Sequence, residues 1–200
     1  MKLRILAFVT VLMFSTNGVL AMDSGGSFAI KGVGLSKCAT FVEKVKQKEE
    51  AALARYVGWI AGFLTASNQH VTATFDLTPW QNIRTLTLAL VNHCDRNADM
   101  RFGEAVVRMA ASLHANRLTE KSELIPIERE GKKHYVYKET VNRMQARLAE
   151  LGLYTGDING EFNDATKQAL VTFQTENKLE ATGMPQQKTM FELLRKPKTQ

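Results

Sequence analysis

The chain has 200 residues, a length that allows one or two domains. Its formal net charge is +6 at pH 7, from 26 Lys and Arg against 20 Asp and Glu. These charges are spread along the chain without a basic stripe carrying interleaved aromatic residues, so nucleic acid is not an expected partner.

Residues 1–21 have the pattern of a secretory signal peptide. Lys2 and Arg4 precede an apolar run from Ile5 to Phe14, and Val19-Leu20-Ala21 supplies a cleavage site. The run is shorter than the ~20 residues that span a bilayer, which favours cleavage over retention as an N-terminal anchor. We therefore expect an exported protein with no membrane span after signal removal.

Residues 22–36 are rich in Gly and Ser and predict a flexible leader, and residues 37–116 predict a helical domain. Gly58 and Gly62, four residues apart, predict close approach of another helix. Thr78 is the expected N-cap of the third helix, with Pro79 opening it. The apolar helix faces are Phe41, Val42 and Val45; Leu53, Tyr56, Val57, Ile60, Phe63 and Leu64; Ile83, Leu86, Leu90 and Cys94; and Phe102, Val106, Met109, Ala110 and Leu113.

Cys38 and Cys94 are the two cysteines of the chain, and in an exported protein a lone pair is expected to form a disulfide. A catalytic Cys94 activated by His93 is disfavoured, because adjacent helical residues point about 100° apart. The same geometry argues against a metal site at His93, Cys94 and Asp95. We expect no metal and no cofactor.

The predicted linker covers residues 117–138. It begins with a charged stretch containing Pro126, and residues 132–137 are compatible with either a short strand or a tether.

Residues 139–196 predict three short helices separated by two Gly-bearing loops. Gly152 suits a helix C-terminus, Asn163 an N-cap and Pro185 the first turn of the third helix, and Ile158 is expected to point inward from its turn. The predicted core residues are Val141, Met144, Leu148, Leu151, Leu170, Phe173, Leu193 and Leu194. The overall expectation is an all-α chain with a disulfide-linked N-terminal helical domain and a C-terminal three-helix bundle.

A further set of residues recurs at fixed spacing through these helices and loops: Gln145, Leu148, Leu151, Gly152, Leu153, Tyr154, Gly156, Ile158, Asn159, Gly160, Phe162, Thr166, Ala169, Leu170, Phe173, Gln174, Leu179, Thr182, Gly183, Thr189 and Leu193. The set resembles the three-helix peptidoglycan-binding domain of many bacterial cell-wall proteins. Asn159 and Asn163 depart from the common Asp and Gly of that family, and both suit the same turn and cap. The resemblance implies peptidoglycan as the partner and, for an exported chain, a periplasmic and wall-associated location.

The N-terminal half resembles small periplasmic helical proteins, including HdeA-type acid-stress chaperones and Rap/Tai immunity proteins. The resemblance is carried by the paired cysteines, the run Tyr56 to Thr65, Asn68, Asn97 and Ala105. Ala98 stands where those proteins usually have Pro. The group implies a helical fold with one disulfide and, since its functions differ, no single activity. Another periplasmic protein is a candidate partner for residues 37–116.

The candidate ligand-binding residues lie near the Gly loops: Tyr154, Thr155, Asp157, Asn159 and Gln174. Their hydroxyl, carboxylate and amide groups suit hydrogen bonds to amino sugars or stem peptides. For Asp157 and Asn159 a purely structural role in the turn is an equal alternative, and for Gln174 a helix–loop bond is. A calcium loop at residues 157–161 is rejected, because the remaining ligands and the closing Glu are missing.

No catalytic motif stands out, so we expect a non-enzymatic protein that binds peptidoglycan. Two alternatives stay open: a chaperone or immunity-type interaction protein anchored to the wall, and a cell-wall hydrolase accessory with catalysis in the N-terminal domain. The sequence does not distinguish stem peptide from glycan as the bound part.

Overall fold

The computed structural model describes Asp23 and residues 27–129 and 131–194. The predicted signal peptide and residues 22 and 24–26 of the predicted leader lie outside these residues. The described elements are α1 Cys38–Lys46, α2 Glu50–His70, α3 Ile83–Asp95, α4 Phe102–Leu113, β1 Leu124–Arg129, β2 Lys132–Tyr137, α5 Lys138–Glu150, α6 Asp164–Glu176 and α7 Gln187–Leu194, with short 3-10 turns at Gly32–Leu35 and His114–Asn116. The predominantly α fold is confirmed.

Helices α1 to α4 enclose an aromatic core. The rings of Phe41, Tyr56 and Phe102 are all nearly or fully buried, with centroids 4.6–5.0 Å apart. Beside them a disulfide joins Cys38 at the start of α1 to Cys94 near the end of α3 and closes a separation of 56 residues. The predicted Cys38–Cys94 bond is thus confirmed, and it fastens the shortest N-terminal helix to the core.

The predicted start of the third helix is wrong. Helix α3 begins at Ile83, and the side chain of Asn82 caps it by accepting a hydrogen bond from the Thr85 N–H at 2.9 Å. Thr78 lies in a turn instead, because its own N–H donates to the Asp76 carboxylate at 2.9 Å. Local side-chain bonds of this kind compete with helix formation, and here they hold residues 76–82 out of the helix.

Gly58 and Gly62 do not serve as a helix-packing surface. Both lie on the exposed side of α2, and a Cβ added at either position would have open space around it. The face of α2 that packs inward carries Tyr56, Ile60 and Leu64 instead.

Residues 124–137 form an antiparallel hairpin rather than an extended tether. Ile125 pairs with Val136 and Ile127 with His134 in its register. Ile127 is 2% exposed, which explains why this short hairpin is held against the rest of the chain. Pro126 is tolerated because each strand of a two-stranded sheet has a free edge.

Helices α5, α6 and α7 form the predicted C-terminal bundle. Asn163 caps α6 by accepting from the Thr166 N–H at 3.0 Å, and Gly152 adopts φ +73° at the end of α5, both as predicted. Two apolar positions were assigned wrongly: Leu151 is 42% and Ile158 54% exposed. The buried apolar residues are Val141, Met144, Leu148, Tyr154, Ala169, Leu170, Phe173, Met190 and Leu193.

Several contacts connect the two halves. The Arg143 guanidinium on α5 donates to the backbone oxygens of Asn116 and Arg117 at 2.6 and 3.0 Å. The Gln187 side chain accepts from the Asn82 N–H and donates to the Trp80 carbonyl. Trp80 also packs against the C-terminal core, so residues 78–82 join the N-terminal helices to the bundle.

Within the described part of the chain, the longest helix is α2, and neither it nor any other is apolar enough over sufficient length to span a membrane.

Candidate functional site

The first Gly loop is organised from inside the bundle by Gln145. This α5 side chain is fully buried, and its carbonyl oxygen accepts from the backbone N–H groups of Asn159 and Gly160 at 3.1 and 2.9 Å. Its amide nitrogen donates to the Glu161 carbonyl at 2.9 Å and to the Thr166 hydroxyl at 3.0 Å. A buried amide with both ends satisfied fixes the path of the loop.

Gln174 does the same for the second loop. This α6 side chain is also fully buried, and its carbonyl oxygen accepts from the Gly183 N–H at 2.8 Å. Its amide nitrogen donates to the Met184 carbonyl at 2.9 Å and to the Thr189 hydroxyl at 3.0 Å. Gln174 therefore serves the fold, and its burial leaves no side-chain atom for a ligand.

The two arrangements form an internal repeat. In each, a helical Gln binds a Gly N–H, the carbonyl of the next residue, and a Thr hydroxyl six residues after the Gly. Gly160 and Gly183 have φ +73° and +66°, and a Cβ on Gly160 would lie 2.7 Å from the Lys138 carbonyl oxygen. Glycine is therefore required at both turns. The sequence signal for these structural residues is the spacing of six residues from Gly to Thr, which both loops share and which in each case follows a helical Gln.

The predicted ligand-binding residues do not share one environment. Tyr154 is 5% exposed, and its hydroxyl donates to the Asp157 carbonyl at 2.9 Å. Thr155 and Asp157 lie on the exposed surface of the loop, and Asn159 is half-buried. The Asn159 side-chain oxygen accepts from the Glu161 N–H at 2.9 Å. The exposed loop edge thus consists of Thr155, Asp157, Ile158 and part of Asn159.

A charged cavity adjoins this loop. Gly160 lies against Lys138 and Asn142, which line a cavity of about 440 Å³ between residues 118–123 and the start of α5. The charged residues that line it are Glu120, Lys121, Glu123, Lys138, Glu139 and Arg143. Arg143 is already engaged, since its Nε lies 3.2 Å from the Glu139 carboxylate and its other nitrogens bind backbone oxygens.

A second cavity, of about 430 Å³, lies between residues 78–82, strand β2 and the residues that precede and begin α7. We call it the neutral groove, because none of its lining residues is Asp, Glu, Lys or Arg. Tyr137 lines one end, and its ring meets Phe75 edge-on with centroids 5.9 Å apart. Burial, followed by the nearby Asp76 carboxylate, raises the pKa of the Tyr137 phenol.

Among the described residues, no group of three or more His, Cys, Asp or Glu side chains is arranged to hold a metal ion. The exposed loop edge and the two cavities instead offer hydrogen-bonding groups and aromatic surfaces, which are the features that bind organic ligands.

Comparison with known protein families identifies a domain in the C-terminal part of the chain. Residues 137–192 match the family model described as a peptidoglycan binding domain. The matched range runs from the last residue of β2 to within α7 and includes both Gln-centred loops. The predicted family resemblance of the C-terminal part is confirmed.

Among curated proteins, the chain is similar to the N-acetylmuramoyl-L-alanine amidase CwlM of Mycobacterium tuberculosis. The two are 43% identical over 49 residues, which are 24% of this chain and 12% of the amidase. The chain therefore matches only a small part of that relative's length. No solved structure matches the chain significantly.

Proposed function

We propose that this is an exported, non-catalytic protein of the periplasm that binds peptidoglycan through the bundle at residues 139–196. The observation that carries the proposal is the match of residues 137–192 to a peptidoglycan binding domain. The Cys38–Cys94 disulfide supports an extracytoplasmic location, because disulfides persist in oxidising compartments.

The binding surface that we assign is the exposed loop edge. The Thr155 hydroxyl and the Asp157 carboxylate lie outside the Gln145 network, so they are available to the amides and hydroxyls of the wall polymer. Tyr154 contributes indirectly, since its buried ring and its bond to the Asp157 carbonyl position the loop.

The non-catalytic assignment is supported by where the similarity falls. The relative is named an amidase, but the similar stretch is 12% of its length, and the family model that matches this chain describes a binding domain. Wall hydrolysis by the N-terminal half is the competing function. The sedimentation experiment described next also measures hydrolysis.

The direct test is incubation of the purified chain with purified sacculi, followed by sedimentation. We expect the protein in the pellet and no soluble wall fragments in the supernatant. Residues 139–200 carry eight basic and eight acidic side chains, so binding at low and high salt should be similar. Absence of pelleting at either salt would refute wall binding, and release of fragments would refute the non-catalytic assignment.

The loop edge is tested by combining Thr155→Ala with Asp157→Asn. Neither side chain is buried, so the fold should be preserved while the pelleted fraction falls. Gln168→Ala is the matched control, because Gln168 is an exposed residue of the same domain on α6. Equal pelleting by all three proteins would exclude the loop edge as the binding surface.

A second candidate role, as a wall-anchored interaction protein, is favoured by an apolar surface on the N-terminal half. Phe28 is 43% and Leu35 53% exposed, and both line a cavity together with Arg101, Arg108 and Glu104, so basic groups outnumber acidic ones there. Exposed apolar side chains beside basic groups suit an amphipathic, acidic protein segment. A photo-crosslinking residue introduced at position 35 should capture a defined partner in cells. The same residue at position 88, an exposed site on α3, is the control. Capture of the same proteins from both positions would argue against this role.

A further inference from the structure

The neutral groove is built from three separate segments. Trp80 and Asn82 come from the N-terminal half, Tyr135 and Tyr137 from the hairpin, and Gln187 from the start of α7. Its volume of about 430 Å³ lies within the ~300–1,000 Å³ typical of small-molecule sites. The groove therefore exists only in the full chain, and most of its lining lies outside the three helices of the bundle.

Two of its lining residues are more than half exposed. Tyr135 is 63% and Leu124 52% exposed, although both are large and apolar. In the register of the hairpin Tyr135 pairs with Pro126 and Tyr137 with Leu124, so these four residues lie on one face. An exposed face of this kind beside amide-bearing residues is typical of a binding surface.

The groove and the charged cavity are neighbours along the same two segments. Leu124 and Tyr137 line the groove, whereas Glu123 and Lys138, adjacent in sequence, line the charged cavity. A neutral site and a charged site thus lie side by side. Peptidoglycan has the same division, since its glycan strand consists of N-acetylated sugars and its stem peptides carry free carboxyl and amino groups.

We propose that the neutral groove binds the glycan strand of peptidoglycan. The flat ring of Tyr135 stacks on the apolar face of a sugar ring. The side-chain N–H groups of Gln81 and Asn82 donate to the acetamido and hydroxyl oxygens, since the side-chain oxygens of these two residues already accept from the Trp80 and Thr85 N–H groups. The lining contains one imidazole, that of His134, and no Asp, Glu, Lys or Arg. It therefore favours the neutral glycan, because a charged stem peptide would lose hydration without gaining a carboxylate, ammonium or guanidinium partner. The inference rests on the proposed wall binding and names the part of the polymer that is recognised.

The test measures binding of the purified full chain to a β-1,4-linked tetramer of N-acetylglucosamine by calorimetry. In parallel, pelleting is measured with intact sacculi and with insoluble chitin, a β-1,4-linked polymer of N-acetylglucosamine that has no stem peptides. We expect the wild type to bind the tetramer and the chitin. Tyr135→Ala should lower both affinities about tenfold or more, because exposed aromatic contacts dominate such interfaces, while Tyr135→Trp should retain most of the affinity.

Leu88→Ala is the matched control, since Leu88 is 54% exposed on α3 and lines none of the cavities described above. It should bind like the wild type. Two results would overturn the inference while leaving wall binding intact. One is pelleting with intact sacculi without binding to chitin or to the tetramer, and the other is unchanged affinity of Tyr135→Ala. Failure of the wild type to pellet with intact sacculi would refute the proposed function, and failure to bind chitin and the tetramer as well would refute this inference.

Discussion

Replacement of Gln145 by Leu should unfold the C-terminal bundle although it changes side-chain volume little. The substitution removes the amide that accepts from Asn159 and Gly160 and donates to the Glu161 carbonyl and the Thr166 hydroxyl. Thr166 can still donate to the Glu161 carbonyl at 3.3 Å. The two backbone N–H groups lose their partner, and the buried position gives them little access to water.

The magnitude follows from these two donors. A buried polar group left unsatisfied costs about 1–3 kcal/mol, so two of them cost about 2–6 kcal/mol. A domain of this size has a free energy of unfolding of about 3–8 kcal/mol, taking the usual per-residue range. The expected loss is thus comparable to the whole stability of the bundle, whereas the disulfide-linked N-terminal helices should stay folded.

Urea unfolding and hydrogen exchange together measure this outcome. The variant should show a lower midpoint for the C-terminal transition and faster exchange at the Asn159 and Gly160 amides. Gln168→Leu makes the same chemical change at an exposed position of α6 and should behave like the wild type. A Gln145→Leu protein with an unchanged midpoint and protected amides would show that the network does not carry the loop's stability.

Three other predictions follow from buried or bonded groups. Cys94→Ala should lower the free energy of unfolding by about 2–5 kcal/mol in chemical denaturation, and thiol titration of the native wild type should find no free thiol. Phe173→Ala, at a site 4% exposed, should cost about 3–5 kcal/mol, and an unchanged melting temperature would contradict its place in the core. The pKa of Tyr137 is raised in the folded state. The contribution of its protonated phenol to folding stability is therefore fully present below the ordinary tyrosine pKa of ~10 and is lost as pH rises through the raised value. Tyr137→Phe should therefore flatten the alkaline limb of the stability profile.

Apolar periodicity predicted most of the helices because each buries one face. The stripe through Tyr56, Ile60 and Leu64 lies inward as expected, and so does the α5 face through Met144 and Leu148. The pattern failed where the helix stops. Leu151 continues the spacing of three and four but is the C-cap residue of α5, so its side chain projects beyond the last packed turn.

Tertiary contacts explain what local signals could not predict. Thr78-Pro79 is a good helix start in isolation, but the Asp76 turn and the burial of Pro79 keep the segment irregular. Strand β1, which pairs with residues 132–137, contains Pro126 and lies within a charged stretch. These features obscured its alternation of apolar and polar residues. Periodicity alone cannot show which loop and strand will meet, so the neutral groove was invisible in the sequence.

The repeat also limits where a ligand can bind. Gln145 and Gln174 consume the inward-facing backbone groups of both loops, so these groups cannot serve the wall polymer. Recognition therefore depends on what the loops leave outside, namely the Thr155 and Asp157 side chains and the cavities beside Lys138 and Tyr137. Because the groove includes Trp80 and Asn82, an isolated bundle would lack one of its walls. On the proposed glycan site, the N-terminal half thus adds to wall binding by completing the groove.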